Sequence, residues 1–178
     1  MPSTKITVVS STNNKNALTA RVADYYAGLL RKRGCDHQVL KLTCLPPDFT
    51  VTALYENNGQ HPEFNRLREL MEATQKYVFI IPEYNGSFPG VFKAFIDGLQ
   101  FPDTFKGKKC ALVGVSSGPQ GGAFAMSHLT DIFHYLKMHV YPLKPRLGNI
   151  LDSQLATILA NEQYVRLLEE QADGIINY

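Results

Sequence analysis

The sequence predicts an open α/β fold, a three-layer sandwich whose five-stranded parallel sheet runs in the order 2-1-3-4-5. Three observations carry this. Short β-branched or apolar runs alternate with amphipathic helical patterns along the chain, which implies right-handed crossovers between parallel strands. Residues 76–81 are apolar on both faces, so the sheet is covered on both sides. The chain has 178 residues, 44% of them apolar, which is enough for one complete core, and no linker divides it. Residues 1–178 are therefore expected to form one domain.

The elements follow in order. Residues 5–10 (Lys-Ile-Thr-Val-Val-Ser) read as a buried strand, and the polar Ser11 to Asn16 as a loop. Over 18–33, Leu18, Val22, Tyr25, Tyr26 and Leu29 recur at helical steps, and Gly34 stands where the helix stops. A second strand is expected at 37–42. Pro46, Pro47, Asn57, Asn58 and Gly59 break any period over 44–61, which reads as irregular. Phe64, Leu67, Leu70 and Met71 place a helix over 63–75, and the third strand follows at 76–81. After the loop Pro82 to Ser87, one helical stripe contains Val91, Phe92, Phe95, Ile96 and Leu99, with Ser87 expected as its cap and Pro89 in its first turn. A fourth strand (109–115), a glycine-bearing loop (116–122), a helix (123–137), a short fifth strand near 139–142 and a terminal helix from about 153 to 170 complete the pattern.

Composition removes several classes of function. Lys and Arg number 18 against 16 Asp and Glu, a formal net charge of +2 with no basic run, so nucleic acid is not an expected partner. Cys35, Cys44 and Cys110 form no C-x-x-C pair and read as free thiols in a reducing compartment. The N-terminus lacks the apolar core of a signal peptide, and no apolar run reaches membrane-spanning length. A soluble, cytoplasmic protein without a membrane partner is expected. His37, His61 and His139 are scattered without ligand spacing, so no metal is expected.

In an open parallel sheet, ligands bind beyond the carboxyl ends of the strands where the strand order reverses, here between the first and third strands. Loops 10–16, 82–87 and 116–122 meet there, and all three are rich in Ser, Thr, Asn and Gly. The first offers hydroxyls, amides and N–H groups just before a helix N-terminus, the donor set of a phosphate cradle. It is not a P-loop, and no Gly-x-Gly-x-x-Gly occurs. The second places Gly86 where the backbone turns sharply and Tyr84 where a flat ring can lie against it. The third, with Gly118, Gly121 and Gly122, can turn its amides toward the polar edge of such a ring. Each loop alone also reads as an ordinary cap or turn. Loops 44–61 and 143–150 flank the open face.

The run Pro82-Glu83-Tyr84-Asn85-Gly86-Ser87-Phe88-Pro89-Gly90-Val91-Phe92-Lys93-Ala94-Phe95-Ile96-Asp97 resembles the most specific motif of the NADPH-dependent FMN reductase family, a branch of the flavodoxin-like proteins that includes quinone, azo-dye and chromate reductases. The strand and glycines of 113–122 resemble the same family's third flavin loop. The resemblance implies a flavodoxin-like sandwich and a bound FMN. Its phosphate would lie at Ser11, Thr12, Asn13 and Asn16, its ring beside Pro82, Glu83, Tyr84, Asn85, Gly86 and Ser87, and its pyrimidine edge near Ser117, Gly118 and Gly121. It further implies NADPH or NADH as electron donor, a small-molecule electron acceptor, and a homodimer or homotetramer. The sequence departs from the family in the first loop. The family usually has a glycine at Ser10 or Ser11, an arginine at Asn14 and a serine at Ala17; Lys15 and the neighbouring neutral donors compensate.

The expected function is thus an NAD(P)H-dependent oxidoreductase in which the cofactor carries the chemistry and no side chain serves as nucleophile or general acid. Asp97 reads as a solvated carboxylate. Two other readings stand beside this one. Gly114-Val115-Ser116-Ser117-Gly118 fits the Gly-x-Ser-x-Gly elbow of a serine hydrolase. Against it, Pro119 and the glycine pair delay the next helix, His128, Asp131 and His134 share one helix, and no histidine follows Asp152. The other is a non-enzymatic module of the same fold that has lost flavin through Asn14 and Ala17.

Overall fold

A computed structural model describes residues 5–151 and 154–178 of the chain. Strand β1 (Ile6–Ser10) leads to helix α1 (Leu18–Lys32) and strand β2 (His37–Lys41). A short helix α2 (Phe49–Thr52) precedes α3 (Pro62–Ala73), strand β3 (Lys76–Pro82) and α4 (Gly90–Asp97). Then come β4 (Lys109–Val115), α5 (Ala123–Tyr135), the two-residue strands β5 (His139–Val140) and β6 (Arg146–Leu147), α6 (Leu155–Leu159) and α7 (Glu162–Asn177). The sheet is parallel in the order β2-β1-β3-β4-β5, as the alternating pattern predicts. Its register sets Val39, Val8, Val78 and Ala111 side by side on one rung.

Strand alternation sorts the core into two faces of different chemistry. Ile6, Val8, Val78, Ile80, Ala111 and Val113 face an aliphatic layer formed by Val22, Leu29 and Leu30 of α1 and Leu168, Ala172 and Ile175 of α7. Tyr77, Phe79, Ile81 and Leu112 face the other way, onto the aromatic side chains of α3, α4 and α5. There Phe79 stacks on Phe133 at 4.8 Å between ring centroids and touches Phe92 at 5.5 Å.

Lysines satisfy two buried helix ends. Lys108 donates to the carbonyls of Met71 and Glu72 at the end of α3, and Lys76 to those of Ile175 and Ile176 at the end of α7. Desolvation pushes both ammonium groups below the ordinary lysine range. At the surface, Arg33 holds Asp173 through Nε–Oδ1 at 2.6 Å and Nη2–Oδ2 at 2.8 Å, tying α1 to α7. The hydrogen bond from Arg33 keeps the Asp173 carboxyl below its usual range, so the pair stabilises the fold at neutral pH and is lost as pH falls through that lowered value. With Asp173 largely solvated, Asp173→Asn is expected to cost about 0.5 kcal/mol in urea unfolding at neutral pH. At acid pH the difference from wild type should vanish.

The structure corrects four readings of the sequence. The fifth strand is split: β5 and β6 both pair with β4, because Pro142 and Pro145 between them bring no N–H to a ladder. In the gap, Gln171 of α7 reaches across the edge and donates to the carbonyls of Leu112 and Leu143. The terminal helix is divided as well. Asn161 caps α7 by accepting from the N–H groups of Gln163 and Tyr164, so a new helix begins within the span expected to be continuous, and it runs on to Asn177. Ser153, where that helix was expected to begin, lies outside the described residues. Ser87 does not cap α4; Pro89 is in the cap position, and the Ser87 hydroxyl instead meets His128 Nδ1 at 2.9 Å. Finally, the stretch 44–61 is anchored by α2 and short 3-10 turns, with Phe49 buried and stacked on Phe64.

Candidate functional site

The chain leaves β1 toward β2 on one side, while β3 pairs on the other, so the strand order reverses between β1 and β3. At their carboxyl ends a polar cleft of about 210 Å³ opens. The three loops singled out in the sequence all contribute to it: Asn14, Asn16 and Ala17 from the first, Pro82, Glu83 and Tyr84 from the second, and Ser116 and Ser117 from the third.

The first loop is built by its own side chains. Asn14 N–H donates to Thr12 Oγ1, and Asn14 Oδ1 accepts from Asn16 N–H at 3.0 Å. Ser11, buried, spends its hydroxyl on the Ile80 carbonyl of β3 at 2.8 Å, and Ser10 donates to Thr19 Oγ1 at 3.0 Å. Ala17 then stands at the N-cap of α1 in extended conformation and supplies no side-chain acceptor. The first-turn N–H groups of α1 therefore have no capping side chain, at the positive end of the helix dipole.

In the second loop, Tyr84 and Ser87 exchange backbone hydrogen bonds of 2.7 and 3.0 Å. Between them Asn85 and Gly86 both have positive φ (50° and 76°), the type I′ turn that Asn-Gly favours. The turn projects Tyr84 across the cleft, half exposed, until its hydroxyl meets Thr12 Oγ1 at 3.1 Å. Glu83 is fixed through its N–H to the Val115 carbonyl, and its Oε2 is buried without a hydrogen-bond partner among the described residues. A buried carboxylate oxygen left so calls for a donor from outside the chain.

The third loop is held by close backbone contacts. Ser116 Oγ accepts from Gly118 N–H at 2.9 Å, and the Gly118 carbonyl accepts from Asn149 N–H. Gly121 is buried against Arg146, where a Cβ would come within 2.7 Å of its carbonyl carbon. This is no hydrolase elbow. α5 begins only at Ala123, and the Ser116 hydroxyl is engaged with its own loop, while His128 faces Ser87.

Of the residues predicted for the site, Asn16, Pro82, Glu83, Tyr84 and Ser117 line the cleft. Ser11 and Thr12 support it from beneath; Asn13 is exposed outside it; Asn85, Gly86 and Ser87 form or close the turn; Gly118 and Gly121 shape the third loop without lining the cleft. Leu18, Thr19, Val115 and Ile150 line it without having been singled out. Ile150 belongs to the flanking segment 143–150, whereas no residue of 44–61 reaches the cleft. A larger groove of about 500 Å³ lies between the C-terminal halves of α4 and α5, away from the strand ends. Among the described residues, no three His, Cys, Asp or Glu side chains gather as metal ligands. No helix among them is long and apolar enough to cross a membrane. Asp97 pairs with Lys93 on the exposed side of α4, and Cys35, Cys44 and Cys110 are free.

A parallel sheet in the order 2-1-3-4-5 with a polar cleft at its switch point defines a flavodoxin-like protein. Residues 4–147 match the NADPH-dependent FMN reductase family, and the chain belongs to that family. It is 39% identical over 120 residues to an NAD(P)H-dependent FMN reductase of Pseudomonas aeruginosa, covering 66% of this chain and 62% of that protein. A quinone reductase of Escherichia coli is 30% identical over 116 residues, covering 61% and 62% respectively. The chain thus spans less than two thirds of the length of either relative. In three dimensions it resembles the apo form of an NADH:FMN oxidoreductase with a TM-score of 0.79 at 19% identity, covering 98% of this chain and 89% of that one.

Proposed function

We propose that this protein is an NAD(P)H-dependent, FMN-containing oxidoreductase that reduces a small acceptor of the quinone type. The observation that carries the reading is the convergence on one cleft of an uncapped α1 N-terminus, a buried acceptor at Glu83 and a tyrosine on a rigid type I′ turn. These fit the parts of FMN. Its phosphate suits the first-turn N–H donors of Leu18 and Thr19, with Asn14 and Asn16 beside them. A hydroxyl or N–H of the cofactor suits Glu83 Oε2, and a flat ring suits Tyr84 and the amides of the turn. Bound there, FMN would supply the hydride and electron chemistry that links a nicotinamide donor to the acceptor. The chain's own part is to bind and orient the cofactor: Thr12 holds Tyr84, the type I′ turn fixes the second loop, and Ser117 borders the opposite side of the cleft.

Membership of a family whose named relatives are reductases favours an enzyme over a non-catalytic module. The departure at Asn14 supports the loop, since that side chain closes it onto Asn16. The departure at Ala17 leaves backbone donors open rather than removing them. Titration of the apoprotein with FMN tests the reading: saturable quenching of flavin fluorescence at one FMN per chain is expected, and no saturable quenching overturns it.

The reading includes cytoplasmic residence and assembly into a homodimer or homotetramer. Support for assembly comes from the groove between α4 and α5, where exposed Phe101 and Tyr135 (62% and 74%) stack on each other. Its rim carries Lys93 paired with Asp97, and Asp131, so no single-sign field opposes the approach of a second copy. Tyr135→Lys is expected to give monomers in sedimentation, and a wild-type chain already monomeric at micromolar concentration contradicts the assignment.

A further inference from the structure

Beyond the third loop, on the side away from the cleft, lies a second depression of about 370 Å³. Its walls are one side of α5, with Ser127, Thr130 and Asp131, and the segment bearing Lys144 and Arg146. Lys144 Nζ donates to Thr130 Oγ1 at 2.8 Å, which fixes the ammonium at the wall. The Arg146 side chain, by contrast, makes no hydrogen bond or ion pair among the described residues, although its backbone is pinned by pairing with β4 and by contact with Gly121. Asp131 pairs with neither cation. Two cations against one carboxylate leave the groove positive, and the Ser127 hydroxyl adds a neutral donor, whereas Thr130 donates its own proton to the Met126 carbonyl; the set suits a phosphate monoester.

One short loop separates this groove from the cleft. Ser117 at one end of the loop lines the cleft, and Gly121 at the other rests on Arg146. A ligand with a flat redox ring at one end and a phosphate at the other can therefore engage both. We propose that the groove holds the 2′-phosphate of NADPH, that Lys144 and Arg146 determine specificity for it, and that the enzyme prefers NADPH to NADH. NADH has a hydroxyl where NADPH has the phosphate, so it gains nothing from the pair. The inference rests on the oxidoreductase reading above.

The test compares the full chain with the double variant Lys144→Ala/Arg146→Ala. Calorimetry on the FMN-free proteins uses 2′,5′-ADP and 5′-AMP as probes. The wild type is expected to bind 2′,5′-ADP at least about tenfold more tightly than 5′-AMP, and the double variant to lose that difference. With FMN bound, kcat/KM for NADPH should fall about tenfold or more while that for NADH is unchanged. Unaltered FMN affinity shows that the variant is folded, and Arg146→Lys, which keeps the charge, should retain the preference. Equal losses for NADPH and NADH assign the cations to the pyrophosphate and overturn the proposal, as does 2′,5′-ADP binding that the variant leaves intact. Failure of the oxidoreductase reading itself would appear separately, as wild-type protein that binds no FMN.

Discussion

Ala17→Asp is expected to make the FMN-free protein more stable and the FMN complex much weaker. Ala17 occupies the N-cap of α1 without offering an acceptor. An aspartate there can accept from the N–H groups of the first turn and interact with the helix dipole, which adds about 1 kcal/mol to the stability of the apoprotein. The same carboxylate takes the donors proposed for the phosphate and brings a negative charge against it. We expect FMN affinity to fall about 100-fold, roughly 3 kcal/mol. Ala17→Ser, which restores a neutral hydroxyl, should bind FMN at least as tightly as wild type. Opposite signs for apo stability and cofactor affinity separate a lost site from a damaged fold. Unchanged affinity in Ala17→Asp would mean that the phosphate lies elsewhere.

The second large effect is expected at Gly114, inside β4. A Cβ at this position would lie 2.2 Å from the Gly121 carbonyl oxygen, 2.9 Å from Met126 Cε and 3.1 Å from Gly122 Cα. Met126 can move, but the Gly121 backbone cannot retreat because it already rests on Arg146. Gly114→Ala therefore has to push the third loop off the strand, at a cost of about 3 kcal/mol in denaturant unfolding. Because Ser117 belongs to that loop, FMN affinity should drop along with stability. Gly118→Ala is the matched control. Its Cβ would meet only Ser116 Oγ, at 3.4 Å, so a change within about 0.5 kcal/mol is expected. If Gly114→Ala is as mild as Gly118→Ala, the third loop is not held in place by this close packing.

These two positions also show what the sequence could and could not reveal. Strand order was legible because strands that are apolar on both faces, β3 above all, alternate with helices of clear period. The place of the cleft followed from topology. The Asn85-Gly86 turn was visible as a sharp turn, though its type I′ geometry takes it away from the helix that Ser87 was expected to cap. Other features depend on distant partners and left no local mark. The Tyr84–Thr12 contact and the packing of Gly121 on Arg146 join segments distant in the chain, and the burial of Glu83 Oε2 is set by the folded surroundings. The split of the last strand had a local signal in Pro142 and Pro145, and the break between α6 and α7 had one in Asn161. Gln171 bridging the gap in the sheet had none.

The central claim is that the cleft between the first and third strands holds a redox-active FMN. Its most direct test is the visible absorption of the FMN-loaded, desalted protein under anaerobic conditions, before and after NADPH is added. The account predicts a yellow protein whose flavin band bleaches on adding one equivalent of NADPH and returns when a quinone is supplied. A protein that emerges colourless from desalting and leaves NADPH unoxidised in the presence of added FMN and quinone would contradict it.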